Sequence, residues 1–292
     1  MASYQDKAIV TPDAQSLADL VAKAHNALDA THVVMSALAD QRVTANKQLA
    51  VQLAQTNGQI AAETTLTTAE ITAQSNAADS ALADAQAKLA NATDAQAILD
   101  VTTAGLQSIS QQFQPGQALS GQVNDAEEAI QDAVVAAKAA IDTDKMLNTA
   151  DKTKQDQAVD ATLTGVDDDL AKASNAQAIL DLKNKTIAAV NGVHQAGAAI
   201  STQQQKANNS LAITANQVLQ AISNDPNLTN AQRVSQQQAV TTALSSAQAT
   251  INALSDAQSI LDAQAQQTVV IQDQHVLQPS LDGCQQLVNQ YC

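Results

Sequence analysis

An eight-residue phrase recurs in this chain at a constant step of 81 residues. "TDAQAILD" ends at Asp100, "SNAQAILD" at Asp181 and "SDAQSILD" at Asp262, and the related "PDAQSLAD" ends at Asp19. A fixed step of this length, kept without insertion or deletion, is typical of repeat proteins. The chain is therefore expected to fold as successive copies of one unit.

Aliphatic residues outside the phrase keep the same step, which supports the repeat independently. The aligned columns are Ile60, Ile141 and Ile222; Leu66, Leu147 and Leu228; Leu82, Leu163 and Leu244; Leu89, Leu170 and Ile251; Leu28, Ile109, Val190 and Ile271; and Leu38, Leu119, Ile200 and Leu281. The predicted domains are repeats at 13–93, 94–174 and 175–255, with a partial fourth repeat at 256–292. Residues 1–12 would be the end of a preceding unit or an added start.

Composition favours helices over strands. Gly (8) and Pro (4) are scarce, and only Tyr4, Phe113 and Tyr291 are aromatic, whereas alanine, glutamine and leucine are abundant. Strands need turn residues and β-branched or aromatic runs, which are thin here. The predicted fold class is all-α: tandem three-helix bundles of 81 residues that form an elongated rod.

Each unit is predicted to hold three helices. The first begins at the phrase and ends near the Pro- and Gly-containing stretch that follows Phe113 and its equivalents. The second runs over about 120–142 in the second unit, and its equivalent in the first unit stops near Asn57-Gly58. In the second unit, the third helix carries one apolar stripe through Leu163, Val166 and Leu170.

Capping patterns place the start of the third helix. Thr67 with Glu70, and Thr229 with Gln232, match the capping box, in which a hydroxyl and a side-chain acceptor satisfy free backbone N–H groups. Asn148, with an aspartate three residues later, is a weaker version.

The junctions between units allow two interpretations. Thr93, Ser174 and Ser255 each precede the phrase, and each has glutamine three residues later, again a capping-box pattern. The same residues could instead lie inside one continuous helix, because no Gly or Pro separates Leu170 from Leu180. We favour continuous helices at these junctions, which would make the array stiff.

No constellation of catalytic residues is present. Phosphate loops, GxSxG, HExxH and CxxC motifs are missing from the sequence, so neither an enzyme nor a cofactor site is expected. His32, His194 and His275 share one column, with Phe113 in the second unit. One histidine per unit, even with His25 nearby, does not make a metal site.

These histidines are therefore interpreted as amphipathic residues near helix C-termini, where a positive charge interacts favourably with the helix dipole. Asp167, Asp168 and Asp169 lack the alternating ligands and turn glycine of a calcium loop, and a solvated helix face is expected there.

The formal net charge of −15 excludes partners that require a basic face. Nucleic acids and anionic membranes both require one. No apolar run approaches the roughly 18 residues of a transmembrane helix. Neither nucleic-acid binding nor membrane insertion is therefore expected.

Two cysteines, Cys284 and Cys292, lie near the end of the sequence. In a helix they would be separated by a rise of about 12 Å. A disulfide requires Cα atoms within about 7 Å, so they can bridge each other only if the segment bends. Two interpretations stay open: thiols that are buried or were introduced with the expressed sequence, or a disulfide within one tail or between chains of an exported protein.

The segment "NLTNAQR…DAQSI" from Asn227 to Ile260, and its equivalent from Met146 to Leu180, resemble the tandem three-helix modules of large Gram-positive cell-surface proteins. The resemblance covers most of the chain. It implies an extracellular, wall-attached, rod-like region of an adhesin or matrix-binding protein, with host matrix or other surface proteins as partners. Neither a signal peptide nor a wall anchor is visible in these 292 residues.

Two functions are compatible with these features. The first is a structural stalk or adhesive repeat region that acts as an extended spacer and binds weakly through many copies. The alternative is a self-assembling extracellular or viral filament or coat subunit, in which helical repeats of different chains associate.

Overall fold

The computed structural model describes residues 14–31 and 37–277, and this part of the chain is helical without any strand. The predicted all-α class is confirmed. None of the helices in these two ranges is long and apolar enough to span a bilayer. The chain divides into two compact units between Gly116 and Gln117.

The helices of the first unit are α1 Ala14–Thr31, α2 Leu38–Ala62, α3 Thr68–Ala90 and α4 Ala95–Ser110. Those of the second unit are α5 Leu119–Thr143, α6 Thr149–Thr162, α7 Val166–Lys172, α8 Ala176–Asn191, α9 Ile200–Asn224, α10 Asn230–Asn252 and α11 Ala257–Gln272.

In the first unit, α2, α3 and α4 pack against one another around a small aliphatic core. Leu49, Leu89 and Ile109 are at most 1% exposed, and Ala45 and Ala85 lie in the same cluster. Alanine lets helices approach closely but removes little apolar area from water, and each square ångström contributes only about 25 cal/mol. The few large side chains therefore supply most of the hydrophobic stabilisation.

The second unit contains two such helix groups. In one, α5 packs against α6, α7 and α8; in the other, α9 packs against α10 and α11. Leu211, Ile222 and Ile251 are fully buried in the latter. Each helix that begins with the recurring phrase thus packs on the helices that precede it in sequence, because the phrase places Ile179 or Ile260 against their apolar faces.

The capping patterns at the third-helix starts are confirmed. Thr67 accepts the Glu70 N–H while the Glu70 carboxylate accepts the Thr67 N–H. Thr229 and Gln232 form the same reciprocal pair. Asn148 caps α6 through its side-chain oxygen.

Two predicted helix limits were wrong. Helix α2 continues through Asn57-Gly58 to Ala62, since a helical glycine costs only about 1 kcal/mol and the flanking Thr56 and Ile60 are both fully buried. The third helix of the second copy is not one helix: it ends at Thr162 and restarts at Val166. Gly165 adopts a left-handed φ of 80° between the two parts, a conformation that glycine adopts without strain.

The prediction of continuous junction helices was also wrong. Helix α3 ends at Ala90 and α4 begins at Ala95, and the junctions after α7 and α10 are broken in the same way. The N-caps are Asp94, Asn175 and Asp256, one residue later than the Thr and Ser positions. A carboxylate or amide oxygen at this position satisfies a backbone N–H that a helix start leaves free, and this favours a new helix.

The glutamines of the phrase do not form the capping boxes that the alternative interpretation of the junctions required. Gln96 donates instead to Asp100, at 2.8 Å, and Gln258 donates to Asp262 at 2.7 Å. These are side-chain pairs one helical turn apart, which stabilise a helix modestly.

Asp94→Ala is expected to lower the free energy of unfolding of the first unit by about 1 kcal/mol, because the Ala97 N–H loses its acceptor. The matched control, Thr93→Ala, is expected to change it little, since Thr93 does not cap α4. Urea unfolding followed by circular dichroism compares the two. A larger loss for Thr93→Ala than for Asp94→Ala would contradict the assignment of the cap.

Candidate functional site

The segment that joins α8 to α9, residues 192–199, is held by side chains from the preceding helices. The Gln155 side chain on α6 donates to the Gln195 carbonyl at 2.8 Å and accepts the Gln195 N–H at 2.9 Å. This reciprocal pair treats the linker backbone as a strand partner would. The position and direction of the linker are therefore set by α6.

A histidine–aspartate pair holds the same linker. His194 Nε2 lies 3.1 Å from Asp144 Oδ2, and the Asp144 side chain is only 7% exposed. The other carboxylate oxygen accepts the Met146 N–H at 2.7 Å. Asp144 therefore both closes the turn between α5 and α6 and binds the linker. The isolated, amphipathic role expected for His194 was wrong, because this partner lies 50 residues away.

A glycine lets the linker backbone approach that turn. A Cβ atom on Gly197 would overlap the Met146 carbonyl oxygen, so no other residue fits without a shift of the backbone. We call these contacts the linker clasp, formed by Asp144, Met146, Gln155, His194, Gln195 and Gly197.

The third group repeats the linker clasp at the equivalent columns, as far as residue 277. Gln236 on α10 donates to the Val276 carbonyl at 3.1 Å. His275 Nε2 lies 3.0 Å from Asp225 Oδ2, and Asp225 accepts the Asn227 N–H at 2.8 Å.

The first group reaches the same arrangement with different chemistry. Gln74 forms the reciprocal pair with the backbone of Gln114, at 2.8 and 3.0 Å. Thr65 Oγ1 accepts the Gly116 N–H at 2.9 Å and donates to Glu63 at 2.7 Å. A threonine–glutamate pair thus holds this linker where aspartate and histidine hold the others.

Hydrogen bonds favour the charged form of both aspartates. For Asp225, the Asn227 N–H and then His275 lower the pKa below the ordinary value of a carboxyl group. For Asp144, partial burial opposes ionisation, but the Met146 N–H and His194 outweigh it and the pKa is again lowered. Both carboxylates are therefore stabilised in the folded state.

The turn at the centre of the clasp also contacts the next helix group within the second unit. The Lys145 carbonyl accepts the Ala257 N–H at 2.8 Å, and Gln258 Oε1 accepts the Thr149 N–H at 2.9 Å. Gln203 on α9 donates to the Met146 carbonyl at 2.9 Å. Residues 144–149 thus bind the linker on one side and the starts of α9 and α11 on the other.

The remaining residues considered from sequence are dispersed. His25 is exposed on α1, and Asp167, Asp168 and Asp169 are exposed in the first turn of α7. Three carboxylates there interact favourably with the positive end of the helix dipole. Within residues 14–31 and 37–277, no group of three or more His, Cys, Asp or Glu side chains could hold a metal ion.

His32, Cys284 and Cys292 lie outside the described residues. The disulfide predicted as one alternative for the two cysteines stays a prediction.

Sequence reasoning missed the glutamines of the linker clasp. Gln74, Gln155 and Gln236 occupy one column of the 81-residue step, so the signal was present. Glutamine is so common in this chain that one polar column does not stand out. Its role depends on a backbone segment 40 residues later, which the pattern does not identify.

Comparison with known proteins identifies no relative. No protein-family model matches the chain. Curated proteins give no match, and neither do solved structures.

Gly197→Ala is expected to destabilise the second unit by about 1–3 kcal/mol, because the added Cβ must displace the Met146 carbonyl or the linker. The matched control is Gly58→Ala. Its Cβ meets open space inside α2, so a gain of about 0.5–1 kcal/mol is expected. Urea unfolding of both variants measures the difference. Equal effects would show that the close approach at Gly197 is unimportant.

Asp225→Asn is expected to lower stability at neutral pH and to matter less in acid. The folded-state pKa of Asp225 lies below the ordinary value, so the ionised carboxylate contributes stability above that value, and this is lost as pH falls through the folded pKa. Thermal unfolding of both proteins between neutral and acidic pH measures the gap. The exposed Asp79→Asn serves as the control, and a gap for Asp225→Asn that does not shrink in acid contradicts the assignment.

Proposed function

We propose that the chain is a structural spacer built from three-helix bundles repeated every 81 residues and joined in an elongated array. Its supporting observation is the linker clasp. Contacts of this kind hold the segments that follow α4 and α8, and also the described part of the segment that follows α11. A spacer requires linkers of fixed direction, and polar contacts repeated at equivalent columns supply that property.

The thin cores fit a spacer that yields under load. Each helix group depends on a few buried aliphatic side chains, and nearly all of its contacts join residues close in sequence. Local contacts favour rapid folding. In a linear array, a group that opens under force can therefore reclose while its neighbours stay folded.

We place this spacer on a bacterial cell surface, as a stalk that can also bind weakly through many copies. The support is the resemblance to tandem helical modules of surface proteins, together with the acidic charge of −15. Acidic side chains keep neighbouring stalks apart, and repeated weak contacts to host matrix or other surface proteins would add through multivalency.

Small-angle X-ray scattering of the 292-residue chain tests the elongated array. A compact globule of this length would have a radius of gyration of about 19 Å. We expect a clearly larger value, and a further change in the scattering profile when Gln155→Ala and His194→Ala are combined to open the linker clasp. A radius near that of the globule contradicts the proposal.

Single-molecule stretching tests the repeat mechanically. If each 81-residue repeat opens as one unit, each event should lengthen the chain by about 270 Å, less the folded length of the unit, since an extended residue spans about 3.3–3.6 Å. Equal steps that recover on relaxation are expected. One large step for the whole chain would count against independent bundles.

A further inference from the structure

The contact between helix groups in the second unit serves as a template for a contact between copies. The turn at 144–149 lies on the start of α11, where Ala257 is 2% exposed and its N–H binds the Lys145 carbonyl. Gln258 completes the contact by accepting the Thr149 N–H, while its own amide donates to Asp262. The recognition is mostly through backbone groups, so it does not depend on the side chains of the turn.

The start of α4 has the same face, and there it is exposed. Ala95 occupies the column of Ala257, and both Ala95 and Gln96 are exposed. Gln96 donates to Asp100 at 2.8 Å, as Gln258 does to Asp262, so its side chain is held in the same way. Beneath it, Ile98 is 4% exposed, close to the 3% of the equivalent Ile260.

The complementary turn also recurs, at residues 225–230. Asp225 accepts the Asn227 N–H at 2.8 Å, as Asp144 accepts the Met146 N–H at 2.7 Å. Its backbone bonds match as well: Asp225 binds Ile222 and Leu228 binds Asp225, at 3.4 and 3.5 Å. Pro226, in the column of Lys145, is exposed. Proline retains the carbonyl, which is the only group that the contact needs at this column.

We propose that copies of this chain associate head to tail, with the turn at 225–230 of one copy docked on the start of α4 of the next. The Pro226 carbonyl of the first copy accepts the Ala95 N–H of the second. The Asn230 N–H of the first donates to Gln96 Oε1 of the second. Because the two faces are different surfaces of one molecule, the contact is heterologous and can propagate.

Helix α1 limits the strength of this contact. It carries the columns of a third helix, with Leu17 and Val21 43% and 51% exposed. In a head-to-tail junction, α11 of the first copy already fills that place, so α1 of the second copy lies aside. The contact is confined to the turn and the helix start. It also lacks the covalent linker that gives the internal contact an effective concentration of about millimolar.

This association goes beyond the proposed spacer, which stands whether or not copies join. Sedimentation velocity of the full chain tests it between about 10 µM and 1 mM, the upper limit matching that effective concentration. The buffer contains a reductant, so that cysteine bridges do not contribute, and enough salt to screen the charge of −15. The sedimentation coefficient is expected to rise continuously with concentration. A chain that stays monomeric at 1 mM overturns the proposal.

Matched variants locate the contact. Ala95→Arg places a long side chain where the template has a buried alanine, and association should fall at least tenfold. Asn230→Pro removes the N–H at the first residue of α10, a position where helices accept proline, and should weaken association several-fold. Ala139→Arg, at an exposed alanine of α5, is the control and should leave association unchanged.

Circular dichroism confirms that each variant is folded. Association that survives both Ala95→Arg and Asn230→Pro overturns the proposal, because it must then use another surface.

Discussion

Burial of a few aliphatic side chains at constant 81-residue spacing is the interaction on which the structure depends. In each of the columns headed by Leu49, Ile60, Leu89, Ile98 and Ile109, all three copies are at most 5% exposed. The surrounding alanines contribute close helix approach and little apolar area. With so few large residues in each core, the helices must end and turn at fixed residues, or those side chains would not meet.

Side-chain hydrogen bonds set these ends. Asp94 and its equivalents interrupt what would otherwise be one alanine-rich helix, and Thr67 or Thr229 begins the next helix after a tight turn. Each cap contributes only about 1 kcal/mol. That amount suffices because helix propensity on the two sides of a junction is nearly equal, and a small local preference then determines where the chain breaks.

The linker clasp shows how one geometry can be kept with different residues. Aspartate and histidine hold the linker after α8, whereas threonine and glutamate hold the one after α4. The glutamine pair is common to both. What the copies preserve is a satisfied set of backbone groups on the linker, since a half-buried N–H or carbonyl without a partner is costly. Spacer function and head-to-tail docking are both proposed from this use of backbone groups.

The sequence by itself determined the helical class, the 81-residue step and the capped starts at Thr67 and Thr229, because composition, periodicity and capping are local properties. Only the tertiary structure decided that the junctions break at Asp94, that Gly165 divides a helix, and that His194 pairs with Asp144. Each of these outcomes depends on small energy differences or on partners distant in sequence. A repeat pattern shows that two columns recur together, but contact between them is decided by how the helices pack.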